Sequence, residues 1–181
     1  YDKADILANA KKALAHAEFF GPDSRVAFDA VSLNISGDKY YQNGDIDGAI
    51  AEFKTALAID PENVNVHNSL GVCYGVNGDL DSALAEFQTA IKLDPNEQMA
   101  LYNAGYAHML KCDYETALDF FQRAEQIDAD VFELNFQTGR VLWELGKPEA
   151  AEAYLVHAIN LKPEAGVAHR YLGDCYAAAD R

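Results

Sequence analysis

At 181 residues, half of them hydrophobic, the chain has material for one domain or slightly more, with an ample core. Its formal net charge of −15 and pI near 4.5 argue against nucleic acid, whose phosphates call for clustered Lys and Arg. They argue equally against an anionic membrane surface, and no apolar run reaches the roughly 18 residues of a bilayer-spanning helix.

Residues 1–20 read as one helix. Ile6, Ala10, Ala13, Leu14 and Ala17 recur at three- and four-residue spacing and give one apolar face. Gly21-Pro22-Asp23 stops that helix, and Arg25-Val26-Ala27-Phe28 alternates like a short extended segment. Residues 1–29 are thus expected to be a helix and linker, serving either as a cap on the helices after residue 30 or as the tail of an upstream domain. The start at Tyr1 rather than Met fits an excised piece of something longer.

From residue 30 the sequence repeats. Gly37, Gly71, Gly105, Gly139 and Gly173 are each 34 apart, as are Ala49, Ala83, Ala117 and Ala151, and again Ala56, Ala90, Ala124 and Ala158. Phe53, Phe87 and Phe121 continue as Leu155, and Pro61 and Pro95 skip Ala129 before Pro163. The units are 30–63, 64–97, 98–131, 132–165 and a partial fifth, 166–181. Each reads as helix–turn–helix, the first with helices over 31–42 and 46–59. Asn43-Gly44-Asp45 and Asn77-Gly78-Asp79 supply a left-handed residue followed by a helix-starting Asp. In the third unit Cys112 stands where glycine is expected, so that turn should be slightly strained. In the fourth, Pro148 falls in the first turn of its helix, where a missing N–H costs nothing.

The segment around Leu70, Gly71, Tyr74, Ala83, Phe87, Ala90 and Pro95 resembles a tetratricopeptide (TPR) repeat. The resemblance runs from about residue 30 to the end. It implies an all-α fold, a right-handed α-solenoid in which Gly71 and Ala83 meet at a close helix crossing and Phe87 and Tyr74 fill the space around it. Separately, Ala10, Ala13, Leu14, Ala17 and Gly21, then Arg25-Val26, resemble the last helix and strand of a bacterial diguanylate cyclase (GGDEF-type) domain. Lys11 and Ala15 depart from that pattern, and no catalytic motif accompanies it.

Catalytic constellations are missing. The five histidines form no metal-ligand pair with one another or with Cys or carboxylates. No G-x-S-x-G, phosphate-binding glycine loop or activated cysteine occurs. The expectation is a non-enzyme with no metal and no cofactor. Cys73 and Cys175 hold the same repeat position three units apart, which a solenoid places beyond the roughly 7 Å reach of a disulfide. With Cys112 they are expected to be reduced thiols of a cytoplasmic protein.

What remains is a surface. In the TPR family, positions 2, 5, 9, 12 and 13 of each repeat face a concave groove. Carried over, the groove would draw on Asn34 and Tyr41 in the first repeat and Asn68 in the second. The third would add Met99, Tyr102, Tyr106 and Met109, the fourth Phe136, Arg140 and Trp143, and the fifth Arg170. Aromatic and Met side chains suit a binding wall because they supply large, adaptable contact area, and the two arginines could receive a carboxylate. Chaperone-binding members clamp a C-terminal carboxylate with Lys and Asn. The matching positions here hold Asn34, Asp38, Ser69, Met99 and Asn103, so the lysines are missing, Asp38 would repel a carboxylate, and that ligand is not expected. The function expected is a protein–protein interaction scaffold that binds a peptide or partner segment in the groove. The alternative is a regulatory or localising appendage of a larger bacterial signalling enzyme. Self-association through the unfinished fifth repeat is a further expectation.

Overall fold

The protein is described by a computed structural model over residues 3–20 and 29–178. The described residues form ten helices, in two compact units, Tyr1–Leu93 and Asp94–Arg181. The first unit holds α1 (Lys3–Phe20), α2 (Ala30–Gln42), α3 (Ile46–Ile59), α4 (Val64–Val76) and α5 (Leu80–Leu93). The second holds α6 (Gln98–Leu110), α7 (Tyr114–Glu125), α8 (Phe132–Glu144), α9 (Pro148–Leu161) and α10 (Gly166–Ala178). The fold class is the expected one, an all-α array of helix–turn–helix repeats. The expected stop at Gly21-Pro22-Asp23 and the extended segment Arg25–Phe28 lie outside the described residues.

Each repeat is a helical hairpin closed by the same crossing. A Cβ placed on Gly37 would stand 2.5 Å from the Phe53 ring, and one on Gly71 the same distance from Phe87. On Gly105 it would stand 2.7 Å from Phe121, and on Gly139 2.8 Å from Leu155. The glycine therefore admits the ring or Leu of its own second helix, a closer contact than the one expected with the repeat alanine. Ala49, Ala83, Ala117 and Ala151 are fully buried beside it. Asp45, Asn63, Asp79 and Asp113 each accept a backbone N–H from the first turn of the following helix, as residues at these N-termini should. Pro148 opens α9.

A latch between repeats was not anticipated. At repeat position four, His67 donates from Nε2 to the Pro61 carbonyl (3.0 Å), and His169 does the same to Pro163 (2.9 Å). Asn135, 2% exposed, donates to Ala129 and Val131 at 2.6 and 2.9 Å. The Pro61, Ala129 and Pro163 carbonyls so satisfied lie in the loops leading into α4, α8 and α10.

The N-terminal helix corrects the sequence reading. Ile6 and Leu14 of its expected packing face are 59% and 61% exposed, and Ala10 is exposed too. Ala13 and Ala17 of that face are half-buried, and the helix docks beside them through polar side chains. Lys12 Nζ pairs with Glu52 Oε1 at 2.7 Å, and the buried His16 ring sits 3.1 Å from Ser32 Oγ. The reason lies in the surface offered by α2 and α3, where Ser32, Asp29 and Glu52 present acceptors rather than an apolar seam.

The strained third turn is present. Gly44, Gly78 and Gly146 have φ of 80°, 81° and 68°, and Cys112 holds the same place at φ 60°. A left-handed conformation costs an L-residue roughly 1–2 kcal/mol, offset in part by the backbone entropy that glycine loses on folding. Cys112→Gly is expected to stabilise the protein by about 0.5–1 kcal/mol. A urea midpoint that falls on making this change would show the turn to be unstrained.

Candidate functional site

In the second unit the first helices of successive repeats, α6, α8 and α10, lie side by side. Three- and four-residue spacing sets one row of side chains on each. Met99 is 54% exposed and Tyr106 36%, with Tyr102 half-buried between them. The next row holds Glu133, exposed, and Arg140, half-buried, and α10 adds Val167 and Arg170, both exposed.

These rows are tied together. Tyr102 and Tyr106 stack at 6.3 Å, and Tyr102 also leans on the Phe121 ring at 5.7 Å. Burial pushes the Tyr102 hydroxyl up to about 12, against the opposing hydrogen bond to Gln137. Gln137 Oε1 accepts from Arg140 at 2.8 Å, and Arg140 Nε donates to Tyr171 Oη at 3.3 Å. The Arg140 guanidinium lies over both Phe136 and Tyr171, at 5.7 and 5.6 Å, and Arg170 also lies over Tyr171, at 5.1 Å. Cation–π contacts of this kind hold an arginine in place at a modest gain of about 0.5–1 kcal/mol where exposed. Beside this ladder Gln98, Met99, Tyr102, Val131, Glu133 and Leu134 line a pocket of about 170 Å³.

The first unit carries a different surface. Between α2 and α4 a pocket of about 130 Å³ is lined by Asp38, Tyr41, Phe53, Asn68, Ser69, Val72 and Cys73. Burial raises the Asp38 carboxyl above its ordinary range. Burial, with the charge of Asp38 second, pushes the Cys73 thiol up to about 11. Asn34, one turn before Asp38, is half-buried, and Tyr41 is 37% exposed at the rim.

Three residues expected on the open wall stand elsewhere. Met109 and Phe136 are only 7% and 8% exposed and belong to the core. Phe136 stacks on Phe132 and meets Tyr171 edge-on. Trp143 is half-buried against the α8–α9–α10 core. Phe136 and Trp143 pack against the core formed with α9 and α10, a distinction that position numbers alone do not carry. Gln137 and Tyr171 were missed. Both occupy repeat position six, and the signal available for Gln137 was its i, i+3 relation to Arg140.

The histidines serve structure. Besides the two latches, His67 Nδ1 meets Glu86 at 2.7 Å, His108 pairs with Asp113 at 3.0 Å, and His157 with Asp130 at 3.1 Å. Among the described residues no three His, Cys, Asp or Glu side chains gather as a metal site would require. Nor is any described helix long and apolar enough to cross a membrane. Cys73, Cys112 and Cys175 are free thiols, Cys112 exposed.

The family model described as TPR repeat matches residues 37–78, and that described as tetratricopeptide repeat matches residues 74–131 and 136–181. No curated protein is significantly similar in sequence. Among solved structures, MamA is similar at a TM-score of 0.74 and 28% identity, over 80% of this chain and 84% of its own. YrrB, a TPR protein with an unusual peptide-binding site, is similar at 0.73 and 21%, over 84% and 78%. The first TPR of Spaghetti, bound to the HSP90 peptide SRMEEVD, is similar at 0.64 and 21%, over 65% and 94%.

Proposed function

The chain belongs to the tetratricopeptide repeat family, and from that premise we propose that it is a non-catalytic scaffold that holds an extended or helical segment of a partner protein. The observation that carries this reading is the wall of the second unit, where Met99 and Tyr106 stand open on either side of the half-buried Tyr102, beside the pocket next to the Arg140–Tyr171 ladder. Large, preordered aromatic surfaces are where binding energy concentrates, because they lose little conformational freedom on contact. The peptide-binding site of YrrB and the peptide held by Spaghetti support a peptide as the type of ligand. Three unpaired thiols support a reducing compartment, the cytoplasm.

The test is selection of a random dodecapeptide library on the full chain, with calorimetry on the peptides recovered. Tyr106→Ala and Met99→Ala change exposed side chains and should leave the fold intact. Each is expected to weaken binding about tenfold or more, near 1.4 kcal/mol. Unchanged affinity in both variants would remove the second-unit wall from the binding surface.

A further inference from the structure

We propose that the α2–α4 pocket of the first unit is a cation subsite that takes an Arg or Lys side chain of a partner segment docked on that unit, a proposal resting on the reading above that the chain holds such segments. Asp38 supplies the charge, and no cation among the described residues pairs with it. From α4, Asn68 and Ser69 bring further oxygen acceptors to the lining, and the Tyr41 ring stands at the mouth. The pocket is thus rich in acceptors and carries one unbalanced negative charge.

A guanidinium or ammonium head answers each feature. It brings only donors, three or five of them, and a positive charge. The aromatic rim offers it a face, and about 130 Å³ gives space for several waters that such a head would displace. A carboxylate would meet Asp38 at close range and be repelled. A neutral apolar side chain would leave Asp38 covered and unpaired, which is costly. That burial already holds the Asp38 carboxyl above its ordinary range means that its charge is poorly solvated before a partner arrives. On the scale of the whole chain, a net charge of −15 favours approach of a basic segment.

Two probes test this on the full chain. The first is N-acetyl-argininamide, titrated into ¹⁵N-labelled protein, with N-acetyl-glutaminamide as a neutral control of similar length. The backbone amides of Asn68, Ser69 and Val72 are expected to shift with the arginine probe and not with the control. Asp38→Asn should weaken that response about tenfold or more. Tyr41→Ala, at the exposed rim, should weaken it severalfold and provides a second reading should Asp38→Asn disturb folding. Equal shifts with both probes, or full response in both variants, would overturn the proposal. The second probe is the dodecapeptide library, expected to return sequences enriched in Arg and Lys on the native chain and without that enrichment on Asp38→Asn. Peptides recovered with no basic preference would overturn the cation subsite and leave the docking reading standing. Recovery of no peptide would overturn the docking reading and this proposal with it.

Discussion

Replacing Phe121 by alanine is expected to cost about 3–5 kcal/mol, most of what a unit of this size has to lose. The ring is fully buried, sits over Gly105, and carries the tilted face of Tyr102. Removing it deletes the transfer energy of a whole aromatic side chain. It also leaves a cavity that two helices crossing at a glycine cannot close, because their backbones are already as near as the ring allows. The consequence reaches the site, since Tyr102 loses the ring it leans on and the wall residue best placed for a ligand becomes loose. Trp143 lies in the same unit and half-buried, so its fluorescence reports the unfolding of that unit. In urea, Phe121→Ala should lower the Trp143 midpoint sharply. Phe53→Ala, whose ring serves the first unit, should lower it far less. A Phe121→Ala loss below about 1 kcal/mol would contradict the central place given to this ring.

Much of this architecture is legible in one sequence, because the 34-residue register repeats the same packing problem several times. A single Gly or Ala says little, but Gly37, Gly71, Gly105 and Gly139 each opposite a large apolar residue define a crossing. The turn at Cys112 was legible for the same reason, since three sibling turns carry glycine there. The candidate site was only partly legible. Met109 and Phe136 share repeat positions with groove residues, yet both are buried in the core. Aromatic character marks both a binding wall and a core, so composition cannot separate the two. The α1 docking face was misread for a related reason. Periodicity locates an apolar stripe, but what covers it depends on the partner surface, and here Ser32, Asp29 and Glu52 drew in Lys12 and His16. Polar latches such as Asn135 onto Ala129 recur at repeat position four with His67 and His169, but the register alone does not say which carbonyl such a side chain meets.

The same substitution at the same repeat position should have opposite signs in two repeats. In an exposed helix, glycine to alanine ordinarily gains up to about 1 kcal/mol, because alanine has less backbone freedom to lose on folding. At Gly173 nothing lies within 4 Å of the added methyl, so Gly173→Ala should stabilise the protein by roughly 0.5–1 kcal/mol. At Gly71 the methyl would meet Phe87 Cε1 at 2.5 Å and Cδ1 at 2.7 Å. The ring is 4% exposed and cannot swing into solvent without opening the core. Overpacking of this kind costs about 1–3 kcal/mol, which outweighs the entropic gain, and Gly71→Ala should destabilise by about 1–2 kcal/mol. Larger side chains should widen the contrast, with Gly71→Val failing to close its hairpin while Gly173→Val folds. Circular dichroism melts of the two alanine variants decide the matter. If both midpoints move the same way, the glycine register reflects helix propensity. If they diverge, it records a side-chain-to-backbone contact, made by a ring in three repeats and by Leu155 in the fourth, that α10 does not make.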